Sequence, residues 1–340
     1  MTKQIRISYA FMFVLLLLVG WLSMATLLLT ILFSYLSMRV LSFGQSKSLG
    51  VILFTLVATT AAIGLIFFTK QAYDTFPIIA DNTVPAIVDY ADKQGIELPF
   101  SDYESLKAEL IREAKEQSAR LGGFARAITF QVVYLIMGIV VAVSLFLNSR
   151  LDFDSQSQAA RNNLWAQTAT EIRKRFRTFF ESFARVMGAQ LLISSINTVM
   201  TAIFLYAAGV PHAALLTITT FLCGLLPIIG NLISNTLITG VAFTVKPEMA
   251  AIALGFLITI HKFEYFLNSK IIGDRIKNPM WLTLLALILG ERLMGIPGMI
   301  LAPVILHYIK VETSKQSLDG TGDTKPSDDT QVITPPAATH

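Results

Sequence analysis

Ser8–Leu41 reads SYAFMFVLLLLVGWLSMATLLLTILFSYLSMRVL and carries a single charged side chain, Arg39. As one helix it would be about 51 Å long at 1.5 Å per residue. The hydrocarbon core of a bilayer is only about 30 Å thick. Gly20 and Ser23 stand where a fold-back would divide the run, so the stretch predicts two short membrane helices in a hairpin. Helix is preferred to strand because an open strand in lipid leaves its amides unpaired. Lys3 and Arg6 precede the run as they would in a signal peptide. Yet the apolar character continues well past signal length, with no Ala-x-Ala-like site after Leu18. A retained membrane segment is expected.

Composition extends this reading to the whole chain. Of 340 residues, 54% are hydrophobic and 15% charged, and the mean hydropathy is +0.61. Soluble domains carry roughly a quarter charged residues, so lipid is the expected solvent. The net charge of +4 could suggest nucleic acid, but the basic residues sit between apolar runs, where they set topology. No nucleic-acid partner is expected. The one cysteine, Cys223, lies in an apolar run. It can form no internal disulfide, and no cysteine cluster is present to hold a metal.

Outward from the opening hairpin, a third span is expected over 51–68, which closes an N-terminal membrane unit of residues 1–70. Residues 71–126 then change character, with ten acidic side chains against six basic ones and with Pro77, Pro85 and Pro99 as punctuation. Ser101-Asp102-Tyr103-Glu104 reads as a capping box, and Tyr103, Leu106, Leu110, Ala114 and Leu121 follow at helical spacing. This segment is expected to be an amphipathic helical insert outside the membrane, either a vestibule or oligomer contact or a solvated connector. A fourth span covers 127–148. Residues 149–185 hold seven basic side chains against four acidic, and Trp165, Ile172, Phe176, Phe179 and Phe183 share one helical face. A basic helix with an aromatic face suits the cytoplasmic headgroup layer. With that helix inside, the positive-inside rule puts the acidic insert outside and Lys3, Arg6, Arg39 and Lys47 inside.

Residues 186–310 form a membrane core of a different kind. After a span ending near Ala208 and the turn Gly209-Val210-Pro211, a long apolar run is interrupted by Leu225-Leu226-Pro227-Ile228-Ile229-Gly230-Asn231. Another span begins at Met249. The last run, Trp281–Tyr308, is interrupted by Gly290-Glu291-Arg292 and by Gly295-Ile296-Pro297-Gly298. Breaks of this kind free backbone groups at membrane depth, which is tolerated where protein or a water-filled cavity covers them, as in transporters. Residues 311–340 turn polar and are expected to be a disordered tail.

Several of these elements together resemble the autoinducer-2 exporter (AI-2E) family of permeases. They are Met187-Gly188-Ala189-Gln190, Leu226-Pro227-Ile228-Ile229-Gly230 and Glu264-Tyr265-Phe266-Leu267-Asn268 with Lys270-Ile271-Ile272-Gly273. The closing Leu289–Pro303 stretch, which carries Gly290, Gly295, Gly298 and Pro303, completes the set. The chain departs from the family pattern at Ser269, at Asn278-Pro279-Met280 and at Arg292. The resemblance implies eight membrane segments, both termini in the cytoplasm, a homo-oligomer, and export of a small solute such as autoinducer-2. Cation/proton exchange is the other activity it implies.

His261, Glu264 and Asn268 are spaced i, i+3 and i+7 and share a helical face. A charge at the bilayer centre costs roughly 2.5–3.5 kcal/mol on insertion scales, and burial disfavours the ionised form of a carboxylate. The trio therefore suits proton coupling, or else snorkels to the interface beside Lys262 and Lys270. Glu291 and Arg292 read either as a structural ion pair or as lining of a solute path, and breaking a buried pair costs about 3–5 kcal/mol. Pro227, Gly230, Asn231, Gly290, Gly295, Gly298 and Pro303 mark helix breaks that either permit tight turns or form a gate. Neither a His-Glu-x-x-His, a Gly-x-Ser-x-Gly nor a P-loop motif occurs. The expectation is therefore an all-α, polytopic bacterial inner-membrane permease without enzymatic activity, cofactor or metal. It would have two broken or re-entrant segments, and membrane lipid and a small-molecule or ion substrate as partners. A non-transporting membrane scaffold is the alternative from another class.

Overall fold

The computed structural model describes residues 2–44, 46–95, 121–148, 164–227, 229–272 and 279–315. All secondary structure among them is helical. In chain order the helices are α1 (Lys3–Trp21), α2 (Ala25–Leu41), α3 (Lys47–Gln94), α4 (Leu121–Leu147) and α5 (Leu164–Ala207), then α6 (Ala213–Gly224), α7 (Ile229–Val245), α8 (Pro247–Ile272) and α9 (Met280–Ser314). Five of them are long and apolar enough to cross a membrane, and α2, α6 and α7 are shorter apolar helices.

The opening run divides where its length demands. α1 stops at Trp21, Ser23 takes a positive φ of 53°, and the Met24 amide donates to the Val19 carbonyl at 2.9 Å. α2 then returns. Each helix is under about 30 Å long, so the hairpin matches the hydrocarbon thickness. Lys47, which opens α3, donates to the Leu147 carbonyl at 3.0 Å. The start of α3 and the end of α4 therefore lie on the same side of the bundle.

Two expected boundaries are not breaks in the chain. α3 continues through residue 70 and through Pro77 and Pro85 as one helix of 48 residues, about 72 Å long. A proline inside a helix removes one backbone hydrogen bond, but the helix runs on past both. Ala72, Ile79 and Thr83 are buried, and Tyr90 meets Phe243 of α7 edge-on at 5.3 Å. The capping box at Ser101 and the spacing from Tyr103 to Ala114 lie outside the described residues. Likewise α5 runs unbroken across 185/186 for 44 residues. Its basic half packs on the bundle, with Phe179 and Phe183 buried in a core with Met12, Leu29, Leu32, Leu301 and Val304. The aromatic face expected there is split, since Trp165 and Phe176 are exposed.

Two cores are strung along α5. One joins α1, α2, the first half of α5 and the end of α9. The other joins the second half of α5 to α3, α6, α7 and α8 through Leu205, Leu215, Leu216, Ile238 and Leu257. A smaller one ties α2, α3 and α4 through Met38, Phe54, Ala142 and Phe146.

α9 is a hairpin. Gly295 leaves helical geometry at φ 64°, ψ −149°, and the two arms pack through Leu287, Met299 and Ala302. A Cβ on Gly298 would lie 2.0 Å from the Gly290 carbonyl oxygen, so the arms can approach this closely only with glycine at both positions. Of the two interruptions expected in this run, one is a break, at Gly295; Gly290-Glu291-Arg292 is helical. The last helix runs past residue 311, where a polar tail is expected, and residues 316–340 lie outside the described residues. α9 reaches Ser314, and Glu312 is 2% exposed.

Candidate functional site

The run over 213–245 folds back at Leu225-Leu226-Pro227, and the turn is built from residues far apart in sequence. A helix ends with carbonyls that have no intrahelical partner. At the end of α6 two of them are met from α5: Gln190 donates to the Gly224 carbonyl at 2.6 Å, and Ser194 donates to the Phe221 carbonyl at 3.0 Å. On the far side of the turn, Gly230 sits against Cys223 so tightly that a Cβ would fall 1.6 Å from the Cys223 carbonyl oxygen. No side chain fits there. The Pro227-x-x-Gly230 pattern is thus the chemistry of one sharp reversal between α6 and α7.

The residue after that glycine turns toward α8. The Asn231 side-chain amide donates to the Glu264 carboxylate at 2.6 Å, and His261 Nδ1 lies 3.8 Å from the same oxygen. Glu264 is only 15% exposed at its side chain, against 49% for His261. The carboxylate, carried by α8, is thus mostly buried and bonded to Asn231 in the first turn of α7, where a helix dipole favours a negative charge. Asn268 falls within α8, and its side chain lies outside the description. The arrangement offers a half-buried carboxylate with one neutral donor and one imidazole. Such a group can take up and release a proton or receive a cation.

Glu291 and Arg292 are placed elsewhere. They lie on the first arm of the α9 hairpin, 4.0 Å apart and 52% and 84% exposed, so they do not form a buried ion pair within the described bundle. α9 packs on α1, α2 and α5, whereas Glu264 stands between α7 and α8. The residues nominated from the sequence fall into two separate places. Pro227, Gly230, Asn231, His261 and Glu264 form one; Gly290, Gly295, Gly298 and Pro303 shape the hairpin that carries Glu291 and Arg292.

A third polar constellation was not anticipated. Arg175 of α5, 7% exposed, pairs with Glu312 of α9. Its guanidinium also contacts Glu171 at 3.1 Å and lies 4.3 Å above the Tyr9 ring. The Tyr9 hydroxyl donates to Glu312 at 2.9 Å, and Lys315 donates to Thr178 at 3.0 Å and reaches Glu312 at 3.4 Å. Three helices distant in sequence are tied by this network. One turn away, His307 is buried, and neither of its ring nitrogens has a hydrogen-bond partner among the described residues. The sequence offered one hint, an arginine, a glutamate and a histidine close to apolar runs, but nothing in it paired them.

The chain is similar to two curated Bacillus subtilis (strain 168) proteins. It is 31% identical over 133 residues to "Putative transport protein YdbI", covering 38% of each chain. It is 25% identical over 167 residues to "Putative transport protein YrrI", covering 45% of this chain and 47% of the relative. These matches span less than half of the relatives' own length. The AI-2E family transporter model matches across residues 7–315, which takes in both cores, the Asn231–Glu264 contact and the α9 hairpin. With its apolar helices, this makes the chain a multi-pass membrane protein that belongs to the AI-2E transporter family.

Proposed function

We propose that this chain is a secondary transporter of the bacterial inner membrane that exports a small polar solute, autoinducer-2 being the first to test. The observation that carries the reading is the Asn231–Glu264 contact beside the α6–α7 reversal. A half-buried carboxylate at a helix break is the group through which an ion gradient can be coupled to solute movement. No P-loop occurs in the sequence, so uphill movement draws on a gradient. Eight membrane segments follow if α6–α7 and α9 each count as one broken segment, with the α9 arms re-entrant. The first arm, Met280 to Met294, is about 22 Å long and too short to span alone. The basic clusters support cytoplasmic termini, and the family resemblance supports a homo-oligomer.

The test is a measurement of autoinducer-2 inside and outside cells that overexpress the wild type, Glu264→Gln or an empty vector. A lower inside-to-outside ratio with the wild type, and a weaker, pH-independent effect with the variant, is expected. Equal ratios in all three would remove autoinducer-2 as the cargo. Unchanged flux across pH in the variant would remove Glu264 from coupling.

The Glu264–His261 pair also favours a second reading, Na⁺(Li⁺)/H⁺ antiport. On that reading sodium or lithium collapses a preformed pH gradient in everted vesicles, and Glu264→Gln abolishes the collapse. The scaffold alternative differs from both in predicting no flux of any solute.

A further inference from the structure

We propose that the groove between α1 and the first half of α5 holds one anionic phospholipid, with an acyl chain along its floor and the phosphate at Arg173. The groove has a volume of 720 Å³, within the roughly 300–1,000 Å³ usual for small-molecule sites. Its walls are Ile7 and Phe11 of α1 and Trp165, Ile172 and Phe176 of α5. Trp165 is 69% exposed, and Phe11 and Phe176 are more than 40% exposed, so the described chain leaves these faces unfilled. Both ends are tied, which fixes the spacing of the walls. Gln4 donates to Gln167 at 2.5 Å, and Phe11 meets Phe176 edge-on at 6.3 Å.

Two features decide the chemistry of the occupant. Thr168 lines the groove, but its hydroxyl is buried and makes no hydrogen bond among the described residues. The floor therefore offers a ligand no polar group and suits hydrocarbon. The edge is different. Lys174 pairs with Glu171 at 2.6 Å, Arg175 with Glu312, and Arg177 with Glu181 at 2.8 Å. Arg173, which lines the groove, has no carboxylate partner among the described residues, and Lys3 and Arg6 of α1 add positive charge beside Ile7. A guanidinium with no carboxylate partner among the described residues, at the edge of an apolar slot, matches a phosphate joined to an acyl chain, since arginine binds phosphate through paired charge-assisted hydrogen bonds. Neither the transport reading nor the Glu264 site enters this inference.

The full-length chain is reconstituted in nanodiscs of equal phosphatidylglycerol and phosphatidylethanolamine and released for native mass spectrometry. One phosphatidylglycerol retained per chain is expected, preferred over phosphatidylethanolamine by about tenfold, because the ammonium of the latter offsets its phosphate charge beside Arg173. Arg173→Gln, on the exposed rim, brings the preference to about parity. Ala169→Trp, which fills the groove, removes the retained lipid while circular dichroism stays that of the wild type. If Ala169→Trp fails to fold, the Arg173→Gln arm decides alone. No retained lipid, an unchanged preference in Arg173→Gln, or full retention in a folded Ala169→Trp overturns the proposal. So does a loss of self-association in Ala169→Trp with lipid unchanged, which would assign the groove to a second copy.

Discussion

At the scale of single residues, Arg175 and Glu312 carry the sharpest energetic consequence. Both are nearly inaccessible to solvent, and a buried charge deprived of its partner costs about 3–5 kcal/mol. Glu312→Gln leaves Arg175 with Glu171 alone and is expected to destabilise the detergent-solubilised protein by up to about 3 kcal/mol, read as a lower thermal midpoint. Replacing both members, Arg175→Met with Glu312→Leu, is expected to recover most of the loss, because a packed apolar pair of similar volume often matches a buried ion pair. A double-mutant cycle in thermal unfolding measures the coupling; additive losses would mean the two side chains do not act as a pair. The network also marks the limit of reading residues in order. Glu264 and Asn231 could each be singled out because a polar group in an apolar run is conspicuous. Glu312 could not, because its partners lie 137 and 303 positions away and its own neighbourhood reads as the start of a polar tail.

At the scale of elements, the reversals were legible and the long helices were not. The α1–α2 corner, the α5–α6 turn, the α6–α7 fold-back and the α9 break all fall at Gly, Pro or Ser clusters. Such residues disclose a turn through their own backbone preferences. The continuity of α3 is decided by its neighbours: Pro77 and Pro85 read as punctuation, yet contacts with α7 carry the helix past both. A prediction follows for an exposed proline inside a helix. Pro77→Ala restores a backbone donor and removes a penalty of up to about 3 kcal/mol. The variant is therefore expected to be more heat-stable than the wild type, with equal or greater helical ellipticity. If α3 were two elements jointed at Pro77, the substitution would leave stability unchanged or lower it. Gln190 and Ser194 show the same dependence on context. Each is a polar residue in a span, but that they complete the end of α6 follows only once α5 and α6 are side by side.

At the scale of the whole molecule, the charge distribution sets a testable orientation. Lys47 and Leu147 meet at one end of the bundle, whereas the opposite end of α3 carries Asp89, Asp92 and Lys93. In a background with Cys223→Ala, a cysteine at Lys93 is expected to react with a membrane-impermeant maleimide in intact spheroplasts. A cysteine at Asn148 is expected to react only after permeabilisation. The reverse pattern would invert the topology and place the 149–163 segment outside. The all-helical class was legible from composition alone, since few charges and long apolar runs admit little else in lipid. The division into two cores along one shared helix was not, because it depends on which halves of α3 and α5 pack with which neighbours.

That shared helix has a mechanical meaning. α5 is a stiff rod of about 66 Å, clamped near one end by the Arg175 network to α1 and α9. Near its middle it grips the last carbonyls of α6 through Gln190 and Ser194. A rod held at two stations transmits torque. Through α5 the α9 hairpin is thus connected to the α6–α7 reversal, beside which Asn231 bonds Glu264. The α9 hairpin and the carboxylate thus hang from one lever.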